Sequence, residues 1–323
     1  MPLVVEQLRG GLVETSHPIV AAVADITGVR WSADGTPGGV PGACFWRSSS
    51  KPLQLLSSLE QLPAATVSAL SDADLAIGAA SHGATPAHTA VVASLLERFG
   101  LTEEGLRCGA HWPSHDESAR GLVRAGRACS AIHNNCSGKH TFMLAAATSR
   151  GWDPDYRPID HPLQQVNAAR FEDWSGAKAG IAVDGCGVPT FHVPVSAMAT
   201  AFCRLATEMR AGSLAGRIGW AMNHEPDLVS SPGELDALLM RSAREPLTAK
   251  RGAEGLMCIA LPERGVGIAI KCTTGSGSAL AVAVRAVLAE VAPGVLDPDA
   301  AWPWCNVKNV VGAAVGERRA VWT

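Results

Sequence analysis

Phe45-Trp46-Arg47-Ser48-Ser49-Ser50-Lys51-Pro52-Leu53-Gln54 is the stretch on which the reading of this chain turns. Loosely alternating, glycine-punctuated residues precede it. Over residues 45–62 the pattern becomes helical, with Leu53, Leu55, Leu56 and Leu59 on one apolar face. Ser48 thus opens a helix after a strand region, and Lys51 follows three residues later on the same side. A serine hydroxyl is a weak nucleophile at neutral pH, but a neutral amine beside it can take its proton. The free N–H groups of a helix start can hold an oxyanion. Burial and a neighbouring cation such as Arg47 would lower the lysine pKa as this chemistry needs. The plainer reading is an N-capping serine with a solvated lysine. Spacing alone does not decide, because Ser175-Gly176-Ala177-Lys178 repeats it. Ser175, however, sits beside Gly176 and Gly180 in a stretch that reads as a loop.

Lysine usage gives Lys51 further weight. Of 27 basic residues only six are lysine: Lys51, Lys139, Lys178, Lys250, Lys271 and Lys308. Arginine is the default cation of this chain, and arginine cannot lose its proton, so positions that keep lysine are candidates for amine chemistry.

Outward from this stretch, residues 4–29 read as two or three antiparallel strands. Helical patterns dominate residues 72–244, for example over 87–99, 139–149 and 232–244. Strand character returns over 255–261 and 266–272, and a last helix is expected over 278–290. Strands at both ends must meet in one sheet. The expectation is an α+β fold in a single domain, residues 1–323, with an antiparallel sheet flanked by helices and an all-helical subdomain roughly within 72–244.

Two more elements extend the serine and lysine theme. Ser81, in Ala80-Ser81-His82-Gly83, sits at a loop after an apolar helix. Lys250, in Lys250-Arg251-Gly252-Ala253-Glu254-Gly255, directly precedes the returning strand. Serine β-lactamases and penicillin-binding proteins carry Ser-Xaa-Xaa-Lys, a serine loop and Lys-Thr/Ser-Gly in this order. Arg251 departs from the third element, and Lys271 on the next strand is a rival for Lys250. In isolation Ser81 would read as a helix-end hydroxyl and Lys250 as a strand-edge cation.

A second dense cluster is His133-Asn134-Asn135-Cys136-Ser137-Gly138-Lys139-His140, at a helix start, with a polar loop at Asp184-Gly185-Cys186-Gly187-Val188-Pro189. Cys136, Lys139 and Cys186 with one water would make a tetrahedral zinc site with an open position. Lysine is a rare ligand and no Cys-Xaa-Xaa-Cys pair is present, so on spacing alone buried apolar cysteines among caps and turns are the leading reading.

Composition narrows the function classes. With 323 residues, 47% apolar and 18% charged, the chain can bury a sizeable core. A net charge of −3 provides no basic field for nucleic acid or an anionic membrane. Nine cysteines, an odd number without a framework, read as reduced thiols. With no signal peptide or membrane-spanning run visible, the cytoplasm is the expected location. A small-molecule substrate and a homodimeric assembly are expected.

Taken together, these motifs resemble the rhizobial-type L-asparaginase family, also called the asparaginase II family. The similar stretches include Arg9-Gly10-Gly11-Leu12-Val13-Glu14-Thr15-Ser16-His17, residues 45–54, Ala80-Ser81-His82, Cys108-Gly109-Ala110-His111, residues 135–140, residues 184–189 and Gly252-Ala253-Glu254-Gly255. The resemblance implies a serine β-lactamase-like fold and two Ser/Lys pairs, Ser48 with Lys51 and Ser81 with Lys250. It also implies a zinc ion held by Cys136, Lys139 and Cys186. Within these motifs Arg47, Asn134, His140, Asp184, Gly252, Ala253 and Glu254 are the candidate substrate-binding residues. Thr85 and Phe142 depart from the family pattern, which would have an acid and a glycine there. The expected reaction is hydrolysis of L-asparagine to L-aspartate and ammonia through an acyl-enzyme on Ser48. The alternatives are a glutaminase or other amidase on the same machinery, and a catalytically silent zinc or thiol protein.

Overall fold

A computed structural model describes residues 2–34 and 42–323. Eleven strands among these residues form two sheets in which every pairing is antiparallel. They are β1 (Leu3–Arg9), β2 (Leu12–Asp25), β3 (Gly28–Asp34), β4 (Ala43–Phe45), β5 (Gly180–Val183), β6 (Pro189–Pro194), β7 (Thr248–Gly252), β8 (Leu256–Leu261), β9 (Val266–Cys272), β10 (Asn306–Lys308) and β11 (Ala314–Trp322). The large sheet runs β10-β11-β1-β2-β9-β8-β7, with β3 also paired to β2.

Burial explains the middle of this sheet. All six residues of β8, Leu256–Leu261, are buried, as expected of a strand covered on both faces. The helix Val195–Ala211 packs on β9, β2 and β8, and the helix Gly277–Val291 packs on β9, β1 and β11. Gly267 permits the first contact: a Cβ there would lie 2.0 Å from the backbone N of Cys203.

Three N-terminal strands agree with the alternation over residues 4–29, and β8 and β9 fall where strand character returned. Other expectations are corrected. The region 72–244 is not all helical, because β5 and β6 lie inside it and pair with β4 in a small sheet. Phe191 and Val193 are buried on β6 while His192 and Pro194 are exposed, an alternation too short to stand out between helical patterns. The helix Gly277–Val291 is not the last element, since β10 and β11 follow and β11 pairs with β1. Lys250 lies on a strand of its own, β7, at the end of the sheet order.

The helix carrying Lys51 also begins differently. Arg47–Ser50 is a 3₁₀ turn, and the α-helix spans Lys51–Leu59. Pro52 suits that first helical turn, where its missing N–H costs nothing. Trp46 anchors the turn: its N–H donates to Phe191 O at 2.8 Å and its ring is fully buried against Phe171.

Candidate active site

Three of the six lysines, Lys51, Lys139 and Lys250, are almost completely buried. Burial of an amine is expensive unless its hydrogens are used, and each of these is held by specific partners. Lys51 Nζ reaches Ala80 O at 2.5 Å, Ser81 Oγ at 2.9 Å and Asn135 O at 3.2 Å. Lys250 Nζ reaches Ser81 Oγ at 3.0 Å, Arg251 O at 3.0 Å and Asp236 Oδ2 at 3.3 Å. One serine hydroxyl therefore bridges two buried amines. Burial lowers the Lys250 pKa to about 8, against the opposing pull of Asp236 and with further lowering from Lys51 and Arg251.

Local structure explains how these groups meet. Ser81 leaves the helix Asp72–Gly78, and its N–H donates to Val229 O at 2.9 Å. His82 N–H donates to Asn135 O, which ties the serine loop to the start of the helix Ser137–Arg150. Gly138 makes this approach possible, because a Cβ there would sit 2.1 Å from Ile77 O. Gly252 does the same for β7, where a Cβ would come within 2.9 Å of Trp46 O. The non-glycine residues with positive φ among the described residues are Arg47, Ala84 and Glu254. Each lies within four residues of Ser48, Ser81 or Lys250, and strained backbone of this kind concentrates at functional sites.

Ser48 lies half-buried in the 3₁₀ turn, and its carbonyl accepts the Lys51 N–H. Its hydroxyl is not one of the three partners of the Lys51 amine. Arg47 Nε is 2.6 Å from Asp184 Oδ1, so these two candidate binding residues form an ion pair beside Ser48. Asn134 is spent on its own loop: its amide donates to Cys108 O and Gly109 O and its Oδ1 accepts Cys136 N–H. Gly252 and Ala253 follow Lys250, and Glu254 is an exposed turn residue whose carbonyl accepts from Lys271. Among the described residues Lys271 bonds the backbone carbonyls of Glu254 and Cys272, and Lys250 is the lysine brought to Ser81.

The look-alike Ser175 ends a helix, where its hydroxyl accepts Ala177 N–H, and Lys178 is exposed. Thr85 caps the helix Pro86–Arg98, and Phe142 fills the core against Phe99. Asp236, fully buried beside Lys250, was missed by sequence reasoning. Nothing in its helix pattern distinguishes it from an ordinary acidic residue.

Cys136, Lys139 and Cys186 also converge. Lys139 Nζ is 3.2 Å from Cys186 Sγ, and the Cys136 thiol donates to Asn135 Oδ1 at 3.3 Å. The neighbouring Cys186 side chain, with the Lys51 and Lys139 charges, brings the Cys136 thiol well below its usual pKa despite burial. Two buried sulfurs and an amine at this spacing fit the soft, nitrogen-and-sulfur donor set of a zinc ion. No cluster of three or more His, Cys, Asp or Glu able to hold a metal occurs among the described residues. All nine cysteines are free. Surface grooves of about 590 and 680 Å³ lie nearby, and neither is lined by Ser48, Ser81 or the buried lysines.

A family model described as L-asparaginase II matches residues 5–320. The chain belongs to the L-asparaginase II family. Among solved structures, Mglu in its native form is 15% identical with a TM-score of 0.46, over 87% of this chain and 66% of that one. Mglu in its native form in the presence of 4.3M NaCl is 17% identical with a TM-score of 0.38, over 87% and 62%. This chain thus spans less than two thirds of the length of these structures. No curated protein matches it. No helix among the described residues is long and apolar enough to cross a membrane.

Proposed function

We propose that the protein hydrolyses the side-chain amide of L-asparagine, giving L-aspartate and ammonia, through an ester on Ser48. The observation that carries this reading is the Ser81 hydroxyl held between two buried amines. A hydroxyl has one hydrogen, so in the resting state it donates to one amine and accepts from the other. Lys51 faces three acceptors, which suits an ammonium. Lys250 gives two N–H groups to Asp236 and Arg251 O and, when neutral, offers its lone pair to Ser81. One proton is then shared over two amines. Passing it through Ser81 to Lys250 leaves Lys51 neutral.

Lys51 in that form takes the Ser48 proton as Ser48 Oγ adds to the amide carbon. The proton returns through Ser81 to the amide nitrogen, the C–N bond breaks and ammonia leaves. Water then adds to the ester with the same groups as base, which releases aspartate and restores Ser48. Catalytic hydrogen bonds are often completed only when substrate is bound, so an open Ser48 hydroxyl fits a resting enzyme. The Arg47 and Asp184 pair offers both signs of charge for the carboxylate and ammonium of an amino acid. We read the fold as serine β-lactamase-like because the Ser48/Lys51 turn, the Ser81 loop and the Lys250 strand meet in that order. We further assign one zinc ion to Cys136, Lys139 and Cys186, which when bound would supply positive charge for placing substrate.

The flanking of Ser81 also favours a second reading, in which Ser81 attacks and Ser48 binds. Trapping separates them: digestion and mass measurement of acid-quenched enzyme should find the aspartyl mass on the peptide holding Ser48. An adduct on Ser81 would reverse the assignment. Ammonia release from asparagine and glutamine, compared side by side, tests the substrate, since one methylene is discriminated only modestly. Release from neither would leave the silent-protein alternative.

A further inference from the structure

Tyr156 is the single tyrosine of the chain, and it is fully buried. Its phenol oxygen accepts the Arg107 backbone N–H at 2.9 Å and lies 2.8 Å from His140 Nδ1. A backbone N–H can only donate, so the phenol hydrogen is left for the histidine, and His140 Nδ1 is an acceptor. The neutral ring then carries its hydrogen on Nε2. Gln164 fixes the tyrosine from behind by donating to Tyr156 O at 2.6 Å.

His140 Nε2 is buried and has no hydrogen-bond partner. An unmade buried hydrogen bond costs about 1–3 kcal/mol, and such a group calls for an occupant. His140 sits in the first turn of the helix Ser137–Arg150, next to Lys139, and the charges of Lys139 and Lys51 both act on its ring. The start of this helix is tied to the serine and lysine cluster by geometry, since Asn135 O accepts from both Lys51 Nζ and His82 N–H.

We infer that Tyr156 is a positioning residue that fixes the tautomer of His140, so that His140 Nε2–H donates to an oxygen of the bound amino-acid substrate. The inference deepens the amidase reading and rests on it. The acceptor class is a carboxylate or amide oxygen, because a donor-only N–H selects against the ammonium end of an amino acid. Nothing in the residue pattern around Tyr156 announced this role. Its only signal is the rarity of tyrosine in the chain, the same signal that lysine scarcity gave for Lys51.

The test uses the full-length protein with ¹⁵N-labelled histidine. Long-range proton–nitrogen spectra of the wild type should show His140 as the Nε2–H form, and saturating L-aspartate should shift its Nε2 signal. In Tyr156→Phe the tautomer should no longer be fixed, and KM should rise more than kcat falls. His140→Gln places an amide N–H where Nε2 was, whereas His140→Asn reaches only the Nδ1 position. The glutamine variant should keep kcat/KM within about tenfold of wild type, and the asparagine variant should lose roughly a hundredfold. An Nδ1–H ring in the wild type, a signal unmoved by L-aspartate, or equal activity of the two His140 variants would overturn the inference. If Tyr156→Phe fails to fold, the two His140 variants and the wild-type spectrum still decide. Failure of the wild type to release ammonia would strike the amidase reading while the Tyr156–His140 tautomer and its response to L-aspartate still stood, because both are read without turnover.

Discussion

Lys250 Nζ lies 3.0 Å from Ser81 Oγ across 169 residues of sequence, and this one contact joins the sheet to the serine loop. Its chemistry is pH-dependent. Desolvation of Lys250 lowers its pKa to about 8, from 10.5 in an unstructured chain. If neutral Lys250 accepts the shared proton, kcat/KM should rise with pH and level off above about 8. Asp236 opposes the lowering, so Asp236→Asn should move the rise to lower pH. A pH–rate profile of each protein checks both statements, and an unmoved rise in Asp236→Asn would count against Lys250 as the group observed.

The same shift carries a stability consequence with a definite sign. Between about pH 8 and 10.5 the unfolded chain holds a proton on Lys250 that the folded protein has released. Unfolding then takes up protons, so this residue makes stability rise with pH through that window. Urea midpoints measured across it should climb less steeply in Lys250→Met.

Ser48→Ala should lower turnover by roughly 10³-fold or more with little change in melting temperature, and Lys51→Arg should lower it as much in protein that still folds. Arginine keeps the charge at position 51 but cannot become neutral. Substantial ammonia release by folded Lys51→Arg would remove Lys51 from the proton path.

Gly138→Ala tests the close approach of two helices. The added Cβ would meet Ile77 O at 2.1 Å, and backbone cannot move aside as a flexible side chain can. We expect a loss of about 3 kcal/mol or more, read as a lower melting temperature. Displacing the helix start should also weaken metal binding at Cys136 and Lys139.

Metal analysis of freshly purified protein should give about one zinc per chain, and Cys136→Ser or Cys186→Ser should abolish it. Chelation should raise KM more than it lowers kcat if the ion places substrate. A metal-free enzyme with no turnover at saturating asparagine, regained with zinc, would assign the ion to the chemical step.

What could be read from the sequence follows a physical division. Local apolar patterning revealed β8, β9 and the helix carrying Lys51, because their apolar residues lie within a few positions of one another and the segments are buried almost throughout. Residue chemistry picked out Lys51, Lys139 and Lys250, since an amine survives in an arginine-rich chain where its proton matters. The small sheet of β4, β6 and β5 was not legible, because its strands are three to six residues long and β4 pairs with β6 across 147 to 151 positions, from Phe45↔His192 to Ala43↔Pro194. Partner choice within the site was not legible either. Spacing pairs Lys51 with Ser48, whereas the fold turns its amine to Ser81, and only the close approach permitted by Gly138 reveals why. Asp236 and Tyr156 escaped notice for a similar reason, because each acts through a neighbour distant in the chain.

The position of β7 at the end of the sheet order has a kinetic meaning. Ser48, Ser81 and Lys250 come from three separate stretches, and Lys250 joins the others only when the β7-β8-β9 meander has docked on β2, a pairing that spans 243 to 253 residues from Ala24↔Gly267 to Ile19↔Cys272. Long-range pairings of this sort form late, after local helices. During refolding, helical signal should therefore return before hydrolysis does. A chain arrested short of that final docking would carry both serines and one amine, with nowhere for the shared proton to go.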